Sequence, residues 1–367
     1  MLIRRISDSK PSKFCIICGE KPENKNKEHI IPDWLIKQTG DPSRKVNFGV
    51  SIDPETEKLT YREFAFDQFV FPACEACNSE FGQLEKLAKT HLNKLMLGQE
   101  LEAQDISILL DWFDKIRVGL WLAMRVHHTN PVADRPNFFI RQRMGMFDRA
   151  LIVEKLDTDQ RGITFTGVNT YAFHYMPSAF SLRINEFIFT SISTNHLISR
   201  RLGFPYKTDS YIDPSSGMEV ANISIGKKRV SAPIFQNSVL NRGILLAQPI
   251  YRTELSLSNM KSIYECDYVS KHSLEDGVGN IFVQRNHVIK EYSSGEKVSF
   301  SNFPLLPEEH FHTKNIDNVF DCQLWLVKNF TPSPKYLKPD QKAHFDAKLK
   351  YIKYLQTVMH KLSREAS

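Results

Sequence analysis

The 367-residue chain has no run of about eighteen apolar residues, which argues against a helical membrane span. Met1-Leu-Ile-Arg-Arg lacks the apolar stretch of a signal peptide, so the expectation is a cytoplasmic protein with no membrane partner. There is no Gly-rich phosphate loop, no internal repeat and no low-complexity tract, which removes loop-cradled nucleotide chemistry and solenoid architectures. Six cysteines are too few for a disulfide scaffold in a chain of this length. What is present is ordinary for a globular protein: 41% hydrophobic and 25% charged residues, with 25 Phe and 12 Tyr to fill sizeable cores.

The net charge of +6 is unevenly placed. Residues 1–99 carry 15 Lys/Arg against 14 Asp/Glu, a balance of +1, whereas residues 331–367 carry 8 against 3, a balance of +5. Phosphate backbones attract such a tail. A helix with a Lys-rich solvent face has the same composition.

Along the chain, residues 1–12 read as a polar arm and residues 13–78 as a short, irregular, Cys/Pro/Gly-punctuated module. Within it, stretches 47–53 and 60–66 suit two strands of a hairpin turned at 53–58. Leu84, Leu87, Ala88, His91, Leu95 and Met96 recur at helical spacing over 79–97, with Gly98 as the stop. A second helix spans about 104–126, its stripe being Ile106, Leu109, Leu110, Phe113, Leu120, Trp121 and Met124. Strands are expected at 163–166, 172–175, 180–184, 187–192, 220–225 and 281–284, with helices near 138–150 and 233–247. A last helix, 339–363, has Phe345, Leu349, Ile352, Leu355, Val358 and Met359 on one face and lysines on the rest.

The most informative residues are Cys15, Cys18, Cys74 and Cys77, two Cys-x-x-Cys pairs that bracket Glu28-His29. Four thiolates at this spacing make a closed tetrahedral zinc site, which holds shape and does no chemistry. An iron–sulfur or redox pair would need a different clustering or context. Cys266 and Cys322 stand alone and read as inert buried thiols. Imidazoles titrate near neutral pH, so His29 is a candidate to take a proton from water. Glu28 and Asn78 offer hard oxygen donors suited to Mg²⁺ or Mn²⁺. Glu28 can equally be a solvent carboxylate, and Asn78 a helix N-cap. Glu85, seven residues after Asn78, lies two helical turns along the same face; it is placed to orient His29 or a ligand, or to be a surface charge. His127-His128 and His310-x-His312 lack partnered ligands. Asp111 and Asp114 read as solvated helix charges, and the aromatics of the middle strands as core rather than a base-stacking platform.

This arrangement resembles the zinc-stapled form of the HNH, or His-Me finger, nuclease superfamily. It more closely resembles a group of bacterial members with the pattern Glu-His-Ile-Ile-Pro-x-Trp-Leu, then Cys-x-x-Cys-Asn and a Leu-Glu about seven residues on. Here these are Glu28 to Pro32, Trp34-Leu35, Cys74 to Asn78, and Leu84-Glu85. The resemblance covers residues 13–125 and implies a ββα-metal fold. His29 would end the first strand as general base, and Glu28 and Asn78 would hold the catalytic Mg²⁺ or Mn²⁺. Cleavage of DNA, or of RNA with the same groups, would leave a 5′-phosphate. Two positions depart from the pattern. Glu28 stands where Asp is commoner, and Phe69 stands where many members have an Asn that steadies the base; Asn47 or Gln68 would have to substitute.

The expectation is therefore an α+β protein in three parts. Residues 1–128 form an HNH module with a four-cysteine zinc knuckle and packed helices. Residues 129–330 form a mixed, β-rich α+β region that recognises substrate or partner, and residues 331–367 a basic C-terminal helix. The expected activity is metal-dependent endonuclease, with restriction or anti-phage defence suggested by analogy. A partner protein or a homo-oligomer would assemble through 129–367. The competing expectation is a zinc-knuckle nucleic-acid-binding protein without catalysis.

Overall fold

The computed structural model describes residues 14–41, 44–52, 59–65, 70–127, 136, 138–212, 215–216, 219–225, 233–235, 240, 242–249, 279–286, 288–308 and 311–330, and residues 339, 343, 346–347, 349–354 and 357–358 of the C-terminal segment. The polar arm, the 53–58 turn, Gln68, Phe69, His128, Cys266 and His310 lie outside these, as do the side chains of Asn47, His127 and His312.

The chain forms a mixed α+β structure. In order its strands are β1 (Asn26–His29), β2 (Lys45–Ile52), β3 (Leu59–Ala65), β4 (Val70–Ala73), β5 (Leu101–Glu102), β6 (Asp148–Leu156), β7 (Ile163–Thr166), β8 (Ala179–Ile184), β9 (Phe187–Thr194), β10 (Pro205–Ile212), β11 (Glu219–Ile225), β12 (Ile244–Gln248), β13 (Ile281–Arg285), β14 (Val288–Tyr292), β15 (Lys297–Val298) and β16 (Leu305–Leu306). The helices are α1 (Asp33–Gln38), α2 (Glu75–Met96), α3 (Ala103–His127), α4 (Ile140–Arg143), α5 (Tyr171–Tyr175), α6 (Leu197–Leu202) and α7 (Phe311–Phe330). Among the described residues no helix is long and apolar enough to cross a membrane.

A large antiparallel sheet, in the order β14-β13-β12-β6-β9-β8-β7 with β16 parallel to β6, forms the central layer. Both its faces are covered, and the strand sequences explain how. Alternate side chains leave a strand on opposite sides. On β6, Leu151 and Val153 join the core shared with α3, while Ala150 and Ile152 join the core beneath α6 and α7. β8 and β9 are buried at every position, so their Phe180, Phe187 and Phe189 are core, as expected. The strands expected at 163–166, 180–184, 187–192, 220–225 and 281–284 are all present, as is the hairpin β2–β3.

Helix α3 is the spine. Trp112, Phe113, Ile116, Val118, Leu120 and Trp121 are buried around its whole circumference, the mark of a helix that runs through a core rather than over one. On one side Phe113 meets Phe189 of the sheet, with ring centroids 5.4 Å apart. On another, Trp112 stacks on Trp34 of α1 at 5.9 Å. Gly119 lets the residue that follows His29 approach closely: a Cβ there would stand 2.7 Å from Ile30 Cδ1. Gly119→Val should overpack this contact and cost about 1–3 kcal/mol in a denaturant titration. Unchanged stability would mean that Ile30 yields freely.

Helix α2 begins directly from β4, with Cys74 in extended conformation as its N-cap residue. It ends where expected: Gly98 adopts φ 70° and Gln99 N donates to Lys94 O at 2.9 Å, closing the last turn.

Three expectations are corrected, and one helix is new. Residues 172–175 lie in helix α5, because the Thr170 hydroxyl accepts from Phe173 N at 3.1 Å and caps a turn. The stretch 138–150 holds only the single turn α4, since Gly145 at φ 65° redirects the chain into β6. The apolar run Ile244–Gln248 is strand β12, paired to β6 and β13; short apolar runs fit a buried strand as well as a helix. Helix α7 carries Val319, Phe320, Cys322, Leu326 and Val327 inward and was not anticipated. The described residues between 339 and 358 that carry secondary structure are helical, and Ile352 and Leu349 pack with Val327 and Ala172, as their periodicity suggests.

Candidate functional site

The site is built on β1, β4 and α2. β1 and β4 pair antiparallel, with Glu28 opposite Phe71 and His29 opposite Val70. The strand's alternation sends the two neighbours to opposite faces: Glu28 is buried and His29 half-buried.

The four cysteines converge as their spacing predicts. Their sulfurs all lie within 4.8 Å of one another, with Cys18 Sγ and Cys74 Sγ 3.9 Å apart. Tetrahedral ligation with metal–sulfur bonds of about 2.3 Å would set them about 3.8 Å apart, so the cluster is close enough to share one ion. The first pair sits in a tight loop. Gly19 N donates to Cys15 O at 2.8 Å, and Gly19 has φ 84° with its Cα against the Phe139 ring, where no side chain fits. Cys74 N donates to Cys15 Sγ at 3.3 Å, and Ile16 N to Pro72 O at 2.9 Å, tying the loop to β4. Burial, reinforced by Cys15 and Cys18, pushes the Cys77 thiol up to about 12. Burial likewise raises Cys18. For Cys15 burial acts the same way, but the backbone of Cys18, Cys74 and Ile17 outweighs it and lowers the thiol. Four thiols this crowded cannot all ionise without a cation among them.

Behind β1 lies a charge cluster that the sequence reading missed. Lys115 of α3 is fully buried and makes ion pairs with Glu28 of β1 and Glu85 of α2; it also donates to Glu85 and lies 3.4 Å from His29 O. Burial disfavours the ammonium, but the two carboxylates outweigh that and hold Lys115 above the ordinary lysine range. Burial raises Glu85, against the pull of Lys115. Glu28 Oε1 touches the ammonium but receives no hydrogen bond of good geometry. Glu28 is thus a buried carboxylate and not a solvent one. The signal for Lys115 was available: a helix apolar on every side has no solvent face for a charge in its middle.

Asn78 is half-buried, one turn into α2. Its backbone N donates to Cys74 O at 2.9 Å, so Cys74, not Asn78, occupies the N-cap. Asn78, Phe81, Glu85, Ala88 and Leu92 follow the inward stripe of α2, which aims Asn78 and Glu85 to the same side.

Two further readings change. Asp114 is 2% exposed, accepts from Gly145 N at 3.0 Å and pairs with Arg117, while Arg149 pairs with Asp111 and stands 3.6 Å from Asp114 Oδ2. Asp114 is thus not solvated, and Asp111 is only partly so; through Arg149 both join α3 to β6. Arg143 lies over the rings of Phe147 and Phe138, and burial together with Arg117 lowers it to about 9. Cys322 is an inert buried thiol, as expected, pushed up to about 12 by burial. A cleft of about 850 Å³ between the end of α2 and the ends of β6 and β8 includes Lys155, Asp157, Arg161 and Asn185 but none of the predicted site residues. Among the described residues no second group of three or more His, Cys, Asp or Glu side chains gathers at metal-binding distance.

No protein-family model matches the chain, and neither a curated protein nor a solved structure is found to be similar to it.

Proposed function

We propose that the protein is a metal-dependent endonuclease of the HNH type acting on DNA, with the cysteine cluster holding a structural zinc. The observation that carries the reading is the joining of β1, β4 and α2: an antiparallel pair with His29 at its end runs straight into a helix pinned by four cysteines, and Glu28 of the pair meets Glu85 of the helix across one ammonium. Zinc suits four thiols at this spacing better than harder cations do.

His29 takes the proton of the attacking water. Glu28 and Asn78 are the residues that would hold a divalent ion. The fit is reasonable because one ammonium does not exhaust the four lone-pair sites of a carboxylate. An ion held there would supply charge stabilisation to the phosphate and the leaving oxygen. Cys74 and Cys77, once they hold a zinc ion, would fix the start of α2 and with it Asn78.

A second reading, a zinc-stapled nucleic-acid-binding module without catalysis, is favoured by the Lys115 ammonium already compensating Glu28. Supercoiled plasmid incubated with Mg²⁺, Mn²⁺ or EDTA, beside His29→Ala, separates the two. The nuclease reading expects metal-dependent nicking reduced about 10²-fold or more in the variant, the usual weight of a general base. Equal nicking by wild type and variant would sink it. Cleavage confined to a parallel RNA panel would move the same site to RNA.

A further inference from the structure

The buried cluster carries an inference about a residue outside the family pattern. Glu28, Glu85 and Lys115 come from three elements, β1, α2 and α3, and meet only at Lys115 Nζ. The same ammonium reaches the carbonyl of His29 at 3.4 Å, so one group touches both a candidate ion ligand and the backbone of the candidate base. Lys115 is 0% exposed, so its ammonium is shielded from bulk solvent. Two carboxylates against one ammonium leave one negative charge in a pocket where charge is weakly screened. Such a residual charge favours a divalent cation without leaving two bare carboxylates to repel each other in its absence.

We propose that Lys115 is a positioning residue of the site: its ammonium holds the Glu28 carboxylate and the end of β1 in the arrangement that receives a divalent cation. Glu85 is its counterweight, anchoring the ammonium from α2 so that it does not neutralise Glu28 completely. The proposal rests on the nuclease reading, because it treats Glu28 as the ligand of a catalytic ion. A merely structural Lys115 would compensate buried charge and nothing more, and removing one carboxylate along with the ammonium would then make it dispensable.

The test uses zinc-loaded full-length protein and Mn²⁺ as the probe, with Mn²⁺ binding followed by the electron-spin resonance of the free ion and nicking measured alongside. Lys115→Met alone strands two buried carboxylates and is prone to misfold. Lys115→Met/Glu85→Gln keeps the net charge of the cluster at minus one and keeps Glu28. The expected result is that the double variant retains its zinc and a cooperative thermal transition, at a lowered midpoint because Glu28 loses its counter-charge, but binds Mn²⁺ at least tenfold more weakly below that midpoint, and that its nicking cannot be restored by saturating Mn²⁺, whereas Glu28→Gln removes Mn²⁺ binding. A double variant that binds Mn²⁺ and nicks like wild type overturns the positioning role while leaving the nuclease reading intact. Wild type that neither binds Mn²⁺ beyond the zinc site nor nicks overturns both.

Discussion

Chelating the metal, or substituting Cys74→Ser, should unfold the module formed by β1, β4 and the start of α2. Metal binding to structural cysteine sites is folding energy, on the order of 10 kcal/mol or more in zinc-stapled peptides. Apart from the core that Ile30, Phe71 and Phe81 share with α3, the local structure has little else to rely on. β1 and β4 are four residues each, and an isolated two-stranded pair is marginal in water. Cys15 and Cys74 are themselves buried in the core, so each also leaves a polar or vacant site when the cluster fails. The Trp34 ring, stacked on Trp112, supplies the readout: release of α1 from α3 changes tryptophan emission. The expected outcome is zinc released in step with that change and with loss of helical signal from α2. Zinc removed with no change in emission or thermal unfolding would deny the cluster its structural role.

The second large effect is expected at Asp114. It is the carboxylate between two buried guanidiniums, Arg117 and Arg149, and it also accepts from Gly145 N. Breaking a buried pair by removing one partner strands the other charge, typically at about 3–5 kcal/mol. Asp114→Ala leaves Arg149 to Asp111 and Arg117 to the Pro177 carbonyl, with Arg143 nearby adding repulsion. The loss should appear in a urea titration as a lower midpoint. Asp111→Ala, at a side chain one-third exposed, should cost far less. Equal losses at the two positions would show that the network is not organised around Asp114.

How far the sequence foretold this structure depended on how local each signal was. The cysteine cluster was legible because metal ligation demands both residue type and spacing, and the chain meets both. The helices α2 and α3 were legible from a long apolar period, and strands β7, β8, β9 and β13 of the sheet from β-branched and aromatic runs, whereas the central strand β6 was not. What was lost was what depends on neighbours distant in sequence. Ile244 to Gln248 is a strand because β6 and β13 flank it, and residues 172–175 are helical because Thr170 caps them. Asp114 was misread and Lys115 overlooked for one reason: charges were assigned to a solvent face by habit, although α3 is buried all round from Trp112 to Met124. The pairing of Lys115 with residues 30 and more positions away lies in the packing of three elements and has no short motif.

The separation between the two cysteine pairs also sets a timetable. Cys18 and Cys74 are 56 residues apart, and holding such a loop closed opposes assembly by about 3–4 kcal/mol of chain entropy. During synthesis the first pair leaves the ribosome several seconds before its partners, at about 5–20 residues per second. In that interval a nascent chain presents two thiolates where four are needed. Metal capture, and with it the joining of β1 to β4, must await Cys77, and Lys115 arrives later still. Glu28 and Glu85 are therefore solvated on the growing chain and become a buried pair only when α3 is complete. The last group to join the site is the one that sets its charge.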